Sequence, residues 1–211
     1  MDFISTALQF LGRGGPFMYP IGFILVLGLA ITIERWMFLT RAHRENQRMW
    51  NELQDLVNRG EFDKAGDMAA QSDSAVGKVL AMGLARAHGR DSRQDMESAM
   101  EESLLEVTPL LEKRTHYLAT FANIATLLGL LGTIIGLIQG FSAVANVNPA
   151  EKANLLSASI SIAMNTTAFG LMTAIPLLLL HTYLTTKTND LIDSLEMASV
   201  KFVNALSRRG G

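Results

Sequence analysis

The sequence predicts an all-α membrane protein with three transmembrane helices and a large helical segment between the first and the second. Two observations set the hairpin at its centre: residues 118–147 and 154–186 contain no Lys, Arg, Asp or Glu, and the short link between them holds Glu151 and Lys152. Each stretch exceeds the roughly 20 apolar residues that a bilayer core requires of one helix. A third observation adds a span, because residues 17–39 are apolar through Ile33 before meeting Glu34 and Arg35.

Residues 1–16 form an outer-side segment in which Phe3, Leu8, Phe10 and Leu11 suit an interfacial helix over 2–11. Residues 17–39 read as a retained span rather than a signal peptide. The preceding stretch has Asp2 but no Lys or Arg through Leu11, the apolar run is long, and no small-x-small cleavage site precedes ThrIleGluArgTrp. Glu34 and Arg35 are expected near the headgroups.

Residues 40–117 form the predicted cytoplasmic helical domain. Trp50, Leu53, Leu56 and Val57 make one apolar stripe, and Met96, Met100, Leu104, Val107 and Leu111 recur at intervals of three and four. Shorter helices are expected around GluPheAspLysAla and SerAlaValGlyLysValLeu, with breaks at Arg59-Gly60 and His88-Gly89-Arg90. Asp91 or Ser92 suits the N-cap of the longer helix. Pro109 removes a helical hydrogen bond, and its reading as a tolerated kink is preferred to a hinge. Beyond it, the chain is expected to run as continuous helix into the second span.

The second and third spans, 118–147 and 154–186, are each ~45 Å long at ~1.5 Å per residue and so project into the cytoplasm. Residues 148–153 are the expected periplasmic turn and 187–211 a cytoplasmic tail. Orientation follows the enrichment of Lys and Arg at cytoplasmic ends. Arg41, Arg44, Arg48, Lys113, Arg114 and Lys187 flank one side of the spans, whereas the other has only Arg13 and Lys152. The N-terminus is therefore expected outside and the C-terminus inside.

Composition excludes several function classes. A formal net charge of −2 gives no basic stripe for nucleic acid. The absence of cysteine removes disulfides, thiolate nucleophiles and cysteine metal sites. His43, His88, His116 and His181 lack metal-ligand spacing. No nucleophile with a base, phosphate loop or cofactor motif is found, so neither a catalytic residue nor a cofactor is expected. His181 and Glu34 are read as interfacial, and Glu101-Glu102 and Glu112-Lys113-Arg114 as solvated charge.

The membrane region carries the informative residues. Gly129, Gly132, Gly136 and Gly140 include a glycine at every fourth position, the spacing that clears one helical face for close approach of another helix. Gly170 is the corresponding packing candidate in the third span. That span also holds Ser157, Ser159, Ser161, Asn165, Thr166, Thr167 and Thr173. Serine and threonine can satisfy themselves on preceding carbonyls. Asn165 has no such outlet and is expected to face protein or water, with an interhelical hydrogen bond preferred, and Pro176 adds an expected kink.

LeuLeuGlyLeuLeuGlyThrIleIleGlyLeuIleGlnGlyPhe, residues 127–141, followed by SerIleSerIleAlaMetAsnThrThrAlaPheGlyLeuMetThrAlaIlePro, residues 159–176, resembles the paired signatures of the ExbB/TolQ/MotA proton-channel family. Three spans make the ExbB/TolQ branch the closer likeness. The resemblance implies a homopentameric ring in the bacterial inner membrane, with an ExbD/TolR-like single-span partner in its pore supplying a transmembrane aspartate. Energy from the proton motive force would then pass to a TonB-like protein serving outer-membrane transport, or to a TolA-like protein maintaining the envelope. It also implies that Thr133, in the GlyThr-x-x-Gly motif, and Thr167, in the Thr-Ala-x-Gly-Leu motif, face the pore, with Thr166, Asn165 and Ser161 beside them. The glutamate that many ExbB-like proteins carry in the third span falls here on Ile162. A non-conducting membrane scaffold is the alternative from a different class.

Overall fold

The computed structural model describes residues 15–87, 93–145 and 147–207. These residues form six helices: α1 (Met18–Arg59), α2 (Phe62–Ala70), α3 (Ala75–Ala87), α4 (Arg93–Glu112), α5 (His116–Val144) and α6 (Pro149–Ser207). Three helical stretches, beginning at Met18, Arg93 and Pro149, are long and apolar enough to cross a membrane. The chain divides into two compact units, one comprising Met1–Ile33 with Arg114–Tyr183 and the other Glu34–Lys113 with Leu184–Gly211. The expected interfacial helix over 2–11, the break at His88–Arg90 and the cap at Asp91 or Ser92 lie outside the described residues.

The first unit contains the start of α1, all of α5 and α6 through Tyr183. Its interior is made of small and medium side chains: Met18, Ile21, Leu118, Ala122, Ala125, Ala163, Ala174 and Leu177 are buried. Its exterior is apolar. Phe23, Leu127, Ile138, Phe141, Met164 and Leu179 are all more than half exposed, an inverted surface suited to hydrocarbon or to other chains. Several hydroxyls turn inward onto their own helix, including Thr32 to the Gly28 carbonyl at 2.8 Å and Thr126 to the Ala122 carbonyl at 3.1 Å.

The turn between α5 and α6 is shorter than the sequence suggests, because residues 149–153 are already helical. Pro149 opens α6, where proline loses nothing by lacking an N–H and its fixed φ favours the first helical position. Pro176 lies within α6, which stays helical on both sides of it.

The second unit packs the remainder of α1, α2, α3, α4 and the end of α6. Leu53 and Val57 from one predicted stripe and Met100, Val107 and Leu111 from the other are buried, together with Leu80, Leu84, Leu191, Leu195 and Phe202. Gly60 ends α1 with φ +82, a left-handed conformation that glycine adopts without a Cβ penalty. Ser74 caps α3, its hydroxyl accepting the Gly77 N–H at 3.1 Å, while Asn46 Oδ1 accepts the Val76 N–H at 3.0 Å. Two of the unpaired donors at that helix start are thereby satisfied. Beside α2, a hydrogen bond from Lys64 and then its charge hold the Glu61 carboxyl below the usual glutamate range.

One expectation is overturned between α4 and α5. The helix passes through Pro109 but stops at Glu112; residues 113–115 form a turn, with Arg114 at φ +67. The physical cause lies far away in the chain, since the guanidinium of Arg35, which is 2% exposed, donates to the Leu111 carbonyl. That carbonyl belongs to the last turn of α4, where backbone acceptors lack helical partners and a cation is favoured. Arg35 also stacks on Phe38, 4.6 Å from the ring centroid, so it is an interior anchor rather than a headgroup-facing charge.

Candidate intramembrane site

The site is built where α5 and the first part of α6 meet within the first unit. The α5 glycines form the seam. A Cβ on Gly129 would lie 3.2 Å from the Thr167 Cα and 3.3 Å from the Gly170 Cα, and one on Gly170 would lie 2.7 Å from the Ala125 carbonyl oxygen. These are backbone contacts that side-chain rotation cannot relieve. Further along, Gly132 faces the Thr166 methyl, Gly136 the Ala163 Cβ at 3.0 Å, and Gly140 the Ser159 Cβ at 2.6 Å.

Close approach brings a hydroxyl to a carbonyl on the facing helix. Thr167 Oγ1 donates to the Gly129 carbonyl at 2.8 Å and lies 3.5 Å from Thr133 Oγ1, which itself donates to the Leu130 carbonyl at 2.6 Å. Because an α-helical N–H bonds the carbonyl four residues earlier, the Gly129 oxygen is also the acceptor for the Thr133 amide. Thr167 therefore joins the two helices at the residue that positions Thr133. Both threonines are half-buried.

The neighbouring candidates divide. Thr166 is 2% exposed, donates to the Ile162 carbonyl at 3.0 Å and packs its methyl against Gly132; it belongs to the interior of the seam. Asn165 is half-buried and makes no interhelical hydrogen bond among the described residues, and Ser161 is exposed. Ile162, at the position of the family glutamate, is 43% exposed. Among the described residues no group of three or more His, Asp or Glu side chains could hold a metal ion.

Sequence reasoning missed two contributors. Gly28 of α1 is buried where a Cβ would come 2.5 Å from a Leu177 methyl; its spacing of four from the buried Thr32 was the available signal. Thr173 was noticed only as part of the polar load, yet it is fully buried and its hydroxyl has no hydrogen-bond partner among the described residues.

A three-span helical membrane protein with glycines and paired threonines at an internal helix seam is the class that fold and site define. The chain belongs to the MotA/TolQ/ExbB proton channel family, whose model matches residues 71–197. It is 28% identical to an ExbB homolog of Methanothermobacter thermautotrophicus over 93% of this chain and 69% of that protein. It is 29% identical to an ExbB-like protein of Synechocystis over 79% of each chain. The Tol-Pal system protein TolQ of Haemophilus influenzae is 26% identical over 78% of this chain and 75% of its own length.

Proposed function

We propose that this chain is the ring-forming subunit of an inner-membrane motor that uses the proton motive force to do work on the cell envelope. In this reading, residues 1–16 and the turn after α5 are periplasmic, 40–117 and 187–211 are cytoplasmic, and five copies surround a single-span ExbD/TolR-like partner. The partner contributes the titrating aspartate, because the chain has no Asp or Glu in the uncharged stretches 118–147 and 154–186 and intramembrane carboxylates are the usual relay groups. Output passes to a TonB-like protein acting on the outer membrane.

The observation that supports this most directly is the Thr133–Thr167 pair. Each hydroxyl gives its proton to a carbonyl, which leaves oxygen lone pairs able to accept from a neutral carboxylic acid. By rotating, the same hydroxyl can donate to the carboxylate. A wall of this kind accompanies an aspartate through both protonation states, whereas an aliphatic wall stabilises neither.

The test combines composition and flux. Gentle purification from native membranes should recover a ring of this chain with fewer copies of a single-span protein bearing a transmembrane aspartate. In liposomes containing that complex, Thr133→Val and Thr167→Val should each lower proton flux about tenfold or more, the scale of one hydrogen bond to a charged group. Undiminished flux in both variants would remove the pore-wall role. Recovery of a homo-oligomer with no partner would favour a non-conducting scaffold, and a TolA-like co-purifying protein would redirect the output to envelope maintenance.

A further inference from the structure

Lys187 is the first Lys, Arg, Asp or Glu after Lys152, so it marks the end of the third span's uncharged stretch. Its ammonium donates to the Thr40 hydroxyl at 2.6 Å and lies 5.9 Å from the centroid of the Trp36 ring. Thr40 in turn donates to the Trp36 carbonyl at 2.6 Å. That bond commits the threonine proton and leaves its oxygen to accept from the lysine. The half-buried ammonium is thus held by a neutral hydroxyl and a π face, and no carboxylate among the described residues lies within ion-pair distance of it. Asp190, one turn later, is exposed and does not pair with it.

The surroundings add positive charge and apolar surface. Arg41 and Arg48 are neutralised by Glu45 and Glu52. Arg44 is exposed, has no such partner among the described residues, and follows Trp36 and Thr40 at successive intervals of four along α1. Along the same side of α1, Trp36 is 50% and Met37 56% exposed. An ammonium has three donors and Thr40 takes one, so two remain for an anionic oxygen, with apolar side chains alongside.

We infer that Lys187, Thr40 and Trp36, with Arg44, form a binding site for the phosphate headgroup of an anionic glycerophospholipid. A phosphate supplies the counter-ion that the described residues omit, and Trp36 and Met37 offer acyl chains an exposed apolar surface that a free phosphate would not use. Basic residues beside the ends of spans attract anionic lipids in this way. The inference requires the membrane placement of the spans and is independent of proton conduction.

Native mass spectrometry of the full-length protein, titrated with phosphatidylglycerol and with phosphatidylcholine of identical acyl chains, reads the site directly. The wild type should prefer phosphatidylglycerol about fivefold, the effect of one cation near a headgroup. Lys187→Gln should weaken the preference and Lys187→Arg should keep it. Equal affinity for the two lipids in the wild type, or an undiminished preference in Lys187→Gln, would overturn the site. Displacement of the lipid by an equal concentration of inorganic phosphate would overturn its assignment to a lipid. Should Lys187→Gln lose its helical circular dichroism, Arg44→Gln and Trp36→Ala carry the test, each required to weaken the preference.

Discussion

At Gly170 a single methyl group has no place to go. The added Cβ would meet a backbone oxygen of α5 at 2.7 Å, so the two helices would have to separate. Gly170→Ala should destabilise the protein by about 1–3 kcal/mol, the usual cost of overpacking, and thermal unfolding in detergent would measure it. Gly22→Ala provides the contrast, since nothing among the described residues lies within 4 Å of its added methyl. Removing a helical glycine there should be neutral or stabilising by up to about 1 kcal/mol. The glycine spacing was visible in the sequence, but the identity of each facing atom was not. Position 129 meets backbone whereas position 132 meets a threonine methyl, and that difference depends on how two distant segments cross. Asn165 shows the same limit: its polarity was legible, but its lack of an interhelical bond within the described residues was not.

Helices are where the sequence was most informative, because the intervals of three and four in α4 and the uncharged runs of α5 and α6 are local patterns. Leu53, Val57, Met100, Val107 and Leu111 are buried as their spacing predicts. The break after α4 was illegible for the opposite reason. Glu112, Lys113 and Arg114 carry no strong helix-stop signal, and the partner that satisfies the end of α4 is Arg35, 76 residues earlier. Arg35→Met retains much of the aliphatic stem and removes the donor. It should cost about 1–3 kcal/mol, the penalty of leaving a buried acceptor unsatisfied, and should speed amide exchange at residues 113–117, read by hydrogen-exchange mass spectrometry. Unchanged exchange there would show that Arg35 does not hold the break.

For the whole molecule, three candidate spans and the Lys and Arg asymmetry give a topology that can be checked with little ambiguity, because the chain has no cysteine. A single cysteine at Lys152 should react with an impermeant maleimide in spheroplasts, and one at Arg48 only after the membrane is permeabilised. The reverse pattern would invert the proposed orientation. Subunit number and partner are properties of surfaces that a single chain leaves uncovered. The apolar exterior of the first unit does not distinguish lipid from a neighbouring subunit, so the proposed ring rests on family resemblance.

The glycine seam also constrains how the proposed motor could move. Where Gly129 and Gly170 bring backbone against backbone, there is no free volume to absorb a slide of α5 along α6, and the Thr167–Gly129 bond would break before such a slide completed a turn. If the proposed motor is correct, motion during its cycle should therefore be taken up at faces that pack less tightly, with this pair of helices behaving as one stiff stave and the proposed contacts with other chains providing the bearing.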